Sequence, residues 1–224
     1  MFILCWTGNF SFAHAVAEKL HGACTILATS FDDEATVAEK YPDAAEHIQA
    51  IVELGGKVMH GVDATELDTW KHAKKLSFAK IVFNFPHVGA GIKDKHRNIL
   101  ANQTLLFNFF HSALPKLAPS GEILVTLKCG DPYDLWDVKA QARKTGQLNS
   151  SRSFAFDADL YPEYSHRRTL GFVEGVSVGS NEEILKAGVP RMYGVAGKGK
   201  AKRIKGKDGK GKRKRTEKDS DSDE

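Results

Sequence analysis

Residues 2–29 read FILCWTGNFSFAHAVAEKLHGACTILAT, and this stretch decides the fold. Residues 2–6 form a short apolar run that stops at Thr-Gly-Asn, a pattern typical of a buried strand followed by a turn. Between residues 11 and 20 the apolar side chains recur at helical spacing, and residues 24–29 are again apolar and β-branched. Strand, turn, helix and strand in that order predict a βαβ unit with two parallel strands.

The same alternation continues along the chain. Further strands are predicted at residues 57–62, 79–83 and 123–127, and near 151–156 and 168–178. Further helices are predicted at residues 33–54 with a break at Pro42, from about Thr65, at 96–117 and near 134–145, and a turn is predicted at 119–121. The pattern therefore predicts an α/β fold: a mostly parallel seven-stranded sheet with helices on both faces.

Composition excludes several classes of protein. Hydrophobic residues make up 42% and charged residues 27% of the 224 residues, as in an ordinary soluble globular protein. No run of eighteen apolar residues occurs, so we expect no membrane helix. Three scattered cysteines, Cys5, Cys24 and Cys129, are too few for a disulfide framework or a zinc site, and we expect no metal.

Charge divides the chain into two parts. Residues 194–224 contain 12 Lys and Arg and 6 Asp and Glu, whereas the remainder has a net charge of −2. We therefore predict a folded domain over residues 1–193 and a disordered basic tail over 194–224 that ends in an acidic stretch. Such a tail is suited to binding RNA phosphates, and KRKR at 212–215 is typical of a nuclear or nucleolar address.

Candidate site residues follow the predicted strands, because ligands of parallel sheets bind at the carboxyl ends of the strands. The first turn has the single glycine Gly8 rather than GxGxxG, which argues against NAD or FAD and suits a cofactor held by its nucleoside, such as S-adenosylmethionine. Asp32 lies 24 residues beyond Gly8, where a carboxylate commonly accepts from ribose hydroxyls, and Asp63 is suited to an adenine amine. The alternative is that Gly8 forms a plain turn and that Asp32 and Asp33 cap the next helix.

The loop after the fourth strand reads Asn84-Phe85-Pro86-His87. It resembles the Asn-Pro-Pro-Tyr loops with which amino-methyltransferases hold a flipped base. Asn84 can both donate and accept hydrogen bonds, and Phe85 or His87 can stack on a base. The alternative is an ordinary turn with Phe85 in the core.

Eight short motifs come in a fixed order along residues 2–173. They are GNFSF (8–12), ATSFD (28–32), GVDAT (61–65), FNFPHVG (83–89), RNI (97–99), VTLK (125–128), PY (132–133) and YPEYSHRRT (161–169). Together they resemble the Rossmann-like methyltransferase family of 25S rRNA uridine-N3 methyltransferases.

The resemblance implies S-adenosylmethionine as cofactor and large-subunit rRNA as substrate, with pre-ribosomal particles as partners. It also implies that the protein acts in the nucleolus or nucleus. We expect the protein to be a monomer. The residues it implies around the cofactor are Gly8, Asn9, Phe10, Ser11, Phe12, Ser30, Asp32, Asp63, Ala64 and Asn84. Those expected near the substrate are Phe85, Pro86, Tyr133, His166, Arg167 and Arg168.

Chemistry supplies the expected catalytic roles, because uridine N3 must lose a proton as it takes a methyl group. The candidates are Asn84, His87, Lys128 and Asp131. Asp131 is slightly preferred to His87 as general base, and Lys128 or Arg167 would stabilise charge on the uracil carbonyls.

Two other interpretations stay open. Trp6 and Thr7 stand where the family's first turn has Gly and Glu, which favours a catalytically inactive RNA-binding or ribosome-assembly protein on the same fold. The Asn84 loop also suits a methyltransferase that acts on an exocyclic amine.

Overall fold

The computed structural model describes residues 1–5, 8–169 and 181–198. Its strands are β1 (Phe2–Cys5), β2 (Ile26–Thr29), β3 (Lys57–Met59), β4 (Phe78–Asn84), β5 (Leu117–Leu127), β6 (Leu148–Ala155) and β7 (Arg191–Gly197). They form one seven-stranded sheet in the order β3-β2-β1-β4-β5-β7-β6. Neighbours from β3 to β5 are parallel, and β7 is antiparallel to both β5 and β6. The predicted mostly parallel sheet is confirmed.

Helices cover both faces of this sheet, as predicted. They are α1 (Ser11–Leu20), α2 (Glu34–Lys40), α3 (Ala44–Glu53), α4 (Lys95–Ala113), α5 (Val138–Lys144) and the short α6 (Glu182–Leu185). Phe109 and Phe110 of α4 pack with Phe83 and Ile123 in one core. Residues of α1, α2 and α3 pack with Ile26 and other sheet residues in a second core. The break at Pro42 separates α2 from α3, as the sequence predicted.

Two predicted local elements are wrong. The helix from about Thr65 is replaced by two single 3₁₀ turns, Ala64–Glu66 and Lys71–Ala73. The turn at 119–121 lies inside β5, because Leu117 pairs with Phe78 before a register shift in the β4–β5 ladder. In both places pairing or packing with distant residues overrides the local preference.

The last strand also differs from the prediction. Arg168 and Thr169 are not in a strand, and the rest of the predicted strand near 168–178 lies outside the described residues. The last strand of the sheet is β7. Its glycines, Gly194 and Gly197, interrupt the apolar pattern by which a strand is predicted. Gly194 is needed there because a Cβ would lie 2.4 Å from Glu122 Oε1. The predicted boundary after residue 193 therefore falls inside β7, and the predicted tail from residue 199 onward, like Trp6 and Thr7, lies outside the described residues.

The strand order creates a crevice beside β1. From β1 the chain proceeds to β2 and β3 on one side, and then returns to β4 on the other side of β1. Loops that leave the carboxyl ends of β1 and β4 therefore run in opposite directions, which is where open parallel sheets bind their ligands. Within the described ranges, no helix is both long and apolar enough to cross a membrane.

Candidate functional site

A cavity of about 290 Å³, here called the first cavity, opens at the carboxyl ends of β1, β2 and β4. Six residues that the sequence assigned to the cofactor line it: Gly8, Asn9, Phe12, Ser30, Asp32 and Asn84. Tyr41, Val82, Phe85, His87, Gly89, His166, Arg167 and Thr169 are among its other lining residues. Across the described residues, we find no cluster of three His, Cys, Asp or Glu that could hold a metal ion.

Asn9 and Ser11 connect the first turn to residues 161–169, here called the closing segment. The Asn9 Oδ1 atom accepts from the Ser11 backbone N–H at 3.2 Å, and Asn9 Nδ2 donates to Asp43 Oδ2 at 2.9 Å. Ser11 Oγ accepts from the Ser165 backbone N–H at 3.1 Å. Ser11 is buried and is not among the residues that line the cavity. The two side chains therefore hold the wall of the cavity together.

Two further contacts fix the closing segment to the turn between α2 and α3. Arg167 Nη2 donates to Asp43 Oδ2 at 2.7 Å, and the Tyr41 hydroxyl donates to the Arg168 carbonyl oxygen at 3.0 Å. Burial, together with the charge of Asp32, raises the pKa of Tyr41 to about 12, so this hydroxyl stays protonated. Sequence reasoning missed Asp43 and Tyr41, because nothing near them in the chain marks them as partners of residues 167 and 168.

Asp32 lies on the cavity wall where the sequence placed it. Its Oδ2 accepts from Lys40 Nζ at 2.8 Å, and Ser30 Oγ donates to its carbonyl oxygen at 2.7 Å. Asp33, not Asp32, caps α2 by accepting from the Thr36 backbone N–H. The carboxylate of Asp32 is therefore available to the cavity, with Lys40 as its neighbour.

Besides Ser11, three predicted cofactor residues do not line the cavity. Asp63 accepts from the backbone N–H and the hydroxyl of Thr65, capping a 3₁₀ turn, and does not line the cavity. Ala64 is fully buried in the core. Phe10 is also fully buried, and its ring packs against His60 at a centroid distance of 5.4 Å. Phe10 and Ala64 therefore contribute to the packing of the core, and Asp63 to a local turn.

Asn84 is the last residue of β4, and Phe85 begins the turn after it. Asn84 Oδ1 accepts from Thr126 Oγ1 at 2.6 Å, which leaves Nδ2 buried with no hydrogen-bond partner among the described residues. Phe85 has a φ of 49°, in the left-handed region that costs a non-glycine residue roughly 1–3 kcal/mol. Its ring packs edge-to-face against His166, with centroids 4.8 Å apart. A free donor and a strained backbone thus coincide at the cavity.

A second cavity of about 230 Å³ adjoins the first. Its wall includes Phe85, Pro86, His87, Gly89, Leu127, Lys128, Tyr133, Trp136, His166, Arg167, Arg168, Thr169 and Glu183. Phe85, His87, Gly89, His166, Arg167 and Thr169 line both cavities. All six residues predicted for the substrate therefore lie around the second cavity.

Glu183 of α6 joins two of the cations at the second cavity. Its Oε1 accepts from Lys128 Nζ and its Oε2 from Arg168 Nε, each at 2.7 Å. Burial raises the pKa of Glu183, but the hydrogen bonds from the two cations outweigh it and lower the pKa to about 2. Sequence reasoning missed Glu183, which lies 55 residues beyond Lys128 in an ordinary polar stretch.

The two histidines of the shared wall are neutral at physiological pH. Burial and the nearby charge of Lys128 lower the pKa of His87, and the same two causes lower the pKa of His166 to about 3. The Gly89 backbone N–H donates to His87 Nδ1 at 2.9 Å. His166 Nδ1 lies 3.1 Å from the Tyr164 hydroxyl.

Asp131 does not lie where a general base for the second cavity is needed. Its side chain is 58% exposed, forms an ion pair with Lys95, and lines neither cavity. The motif after β5 turns outward at this residue, whereas Lys128 points to the cavity. The structure therefore places the Asp131 carboxylate outside both cavities, and its role as general base stays a prediction.

A model of a known protein family matches most of the chain. Residues 4–168 match the family model described as BMT5-like, rRNA (uridine-N3-)-methyltransferase BTM5-like. The chain belongs to the BMT5-like family. The sequence resemblance is thereby confirmed.

Relatives of this BMT5-like chain are found in yeast and plants. It is 33% identical over 220 residues to the 25S rRNA (uridine(2634)-N(3))-methyltransferase of Saccharomyces cerevisiae, covering 75% of this chain and 65% of the yeast protein. It is 31% identical over 172 residues to the uncharacterized protein At4g26485 of Arabidopsis thaliana, covering 75% and 82% of the two chains. The chain therefore spans less than two thirds of the yeast protein's length.

Solved structures agree on the fold. The BMT5-like chain superimposes on NSun6 of Pyrococcus horikoshii with a TM-score of 0.53 and 14% identity, covering 87% of this chain and 47% of that one. At this identity the likeness concerns the fold alone.

Proposed function

We propose that this chain is an S-adenosylmethionine-dependent methyltransferase that modifies N3 of a uridine in large-subunit rRNA. The observation that carries the proposal is the pair of adjoining cavities at the carboxyl edge of the sheet, of about 290 and 230 Å³, with six residues in common. A methyl donor in one cavity and a base in the other would meet at that shared wall. The family and its yeast relative support the choice of donor and base.

The residues of the first cavity fit an adenosyl group. Gly8 lines the cavity with a φ of 56°, in the left-handed region that glycine adopts more readily than other residues. Asp32 offers a carboxylate for ribose hydroxyls. The unpartnered Nδ2 of Asn84 is a donor that a ligand oxygen or nitrogen would satisfy.

The chemistry requires a flipped uracil beside the donor. When bound, S-adenosylmethionine supplies a methyl group on a sulfonium, so that a carbon–nitrogen bond to N3 forms as the carbon–sulfur bond breaks and the N3 proton passes to water. Extruding the base costs a few kcal/mol. Holding the reacting groups in line lowers the activation barrier by about 7–11 kcal/mol. Lys128 and Arg168 share the single carboxylate of Glu183, and the net positive charge that remains around the second cavity favours the uracil anion.

RNA outside the cavity would be held by charge. The basic stretch of residues 199–224 supports sequence-independent binding to phosphates and a nucleolar location. Deletion from residue 199, beyond the end of β7, should weaken RNA binding steeply at low salt and leave thermal unfolding unchanged. Equal affinity of the two forms at low salt would contradict this role.

Nucleoside analysis tests the proposed activity. The purified chain is incubated with methyl-labelled S-adenosylmethionine and unmodified large-subunit rRNA, and digested nucleosides are identified by mass spectrometry. We expect 3-methyluridine. Methylated adenosine would place the reaction at an exocyclic amine. RNA binding without any S-adenosylmethionine binding in calorimetry would leave an inactive RNA-binding protein, and either result would overturn the proposal.

A further inference from the structure

We propose that His87 is a hydrogen-bond donor to the target base: its Nε2–H contacts a uracil carbonyl next to N3 and stabilises the negative charge that forms there. This inference rests on the proposed function and replaces the expected role of His87 as a general base. It also predicts selectivity for uracil over cytosine.

A backbone contact fixes the tautomer of His87. The Gly89 N–H, which can only donate, points to Nδ1 at 2.9 Å, so Nδ1 carries no hydrogen. A neutral imidazole has one N–H, and here it must be on Nε2. The neutral form is favoured because the ring is half-buried and Lys128 is nearby. A ring in this state has no free nitrogen with which to take a proton from N3.

The position of the ring suits contact with the base rather than with the donor alone. His87 lines both cavities, and its ring lies 5.8 Å from that of Trp136, which lines the second. The charged groups that share the second cavity are Lys128, Arg167, Arg168 and Glu183. A base that enters from the second cavity toward the first would pass its N3 edge along His87.

Donors dominate the polar lining of the second cavity. Among the described residues, its one carboxylate is Glu183, and both of its oxygens already accept from cations. Uracil presents two carbonyl acceptors on either side of N3, and both take up negative charge when the proton passes to water. Cytosine carries an amine at one of those positions, which would meet donors and leave polar groups unpaired.

Two substitutions at one position separate the possible roles of His87. In His87→Gln the side chain amide keeps a donor near the place of Nε2, whereas His87→Met is apolar and of similar length. We expect His87→Gln to keep the rate of 3-methyluridine formation within about 10-fold of the parent, and His87→Met to lower it by about 100-fold or more. The affinity for S-adenosylmethionine, measured by calorimetry, and the unfolding temperature serve as folding controls for both.

Each other outcome overturns the inference. Equal large losses of methylation rate in both variants would assign a proton-accepting role to His87. Parental rates in both would mean that His87 lines the cavities without contributing to the reaction. If the parent chain makes no 3-methyluridine, the proposed function fails instead, so the two failures are distinguishable.

Altered substrates repeat the test without relying on the stability of a variant. Replacing a uracil carbonyl oxygen by sulfur gives a poorer acceptor, so RNAs with 2-thiouridine or 4-thiouridine at the target should identify the atom contacted. With one of the two, the ratio of parental to His87→Met rates should fall from about 100-fold to below about 10-fold. An unchanged ratio with both RNAs would refute the contact.

Discussion

Glu183→Gln tests whether the ion-paired glutamate at the second cavity stabilises the fold through its charge. The change removes one negative charge and keeps the shape of the side chain. Glu183 is 18% exposed, and its partners Lys128 and Arg168 are 16% and 45% exposed. The cations therefore lose a largely desolvated partner.

The magnitude follows from the lowered pKa. Folding lowers the pKa of Glu183 from 4.5 to about 2, and each tenfold change in an acid dissociation constant corresponds to about 1.4 kcal/mol. The carboxylate therefore contributes about 3 kcal/mol of unfolding free energy at pH 7. Because the folded pKa is the lower one, this contribution is complete above about pH 4.5 and is lost as the pH falls through about 2. Near pH 3 about 1.5 kcal/mol should remain.

Urea unfolding at pH 7 and pH 3 measures this difference directly. We expect Glu183→Gln to unfold more easily than the parent at pH 7, with the gap about halved at pH 3. Glu182→Gln is the matched control, since Glu182 is the exposed neighbour on the same short helix. A gap of the same size at both pH values, or one shared by the control, would refute the assignment of stability to the charge.

Four further substitutions test the placement of site residues. Asp32→Asn should weaken S-adenosylmethionine binding by about 10-fold or more in calorimetry, since a charged acceptor is lost, whereas Asp63→Asn should leave it unchanged. Asp131→Asn should keep the parental methylation rate in the nucleoside assay, because that side chain pairs with Lys95 in solvent; a 100-fold loss would return Asp131 to the mechanism. Gly8→Ala should lower the unfolding free energy by about 1–2 kcal/mol in urea titrations, because its φ of 56° is strained for alanine; no change would contradict the turn geometry.

Most of the sheet could be predicted because its pattern is local. A buried strand of four or five apolar residues and a helix with an apolar stripe differ in period, and each period reflects the backbone geometry of its own segment. The wrong predictions arise where a segment depends on residues that are distant in the chain. Gly194 interrupts the apolar pattern of β7 because of Glu122, a residue on the neighbouring strand β5, and no local pattern could report that contact.

The candidate site shows the same division. That Asp32 and Asn84 lie at one edge follows from their positions after parallel strands, since those strand ends meet wherever the sheet forms. Which way each side chain points does not follow. Asp63 and Asp131 also come after strands, yet one caps a turn and the other pairs with an exposed lysine.

By itself, then, the sequence determined the alternating fold, the edge of the sheet that carries the site and the family to which the chain belongs. Only the tertiary structure decided that Glu183 neutralises Lys128, that Asp43 holds Arg167, and that Gly89 leaves His87 as a donor. Periodicity and motif order follow from neighbours along the chain, whereas charge pairing and orientation depend on neighbours in space. Asp43 and Arg167 are 124 positions apart in the chain, and no local pattern indicates their contact.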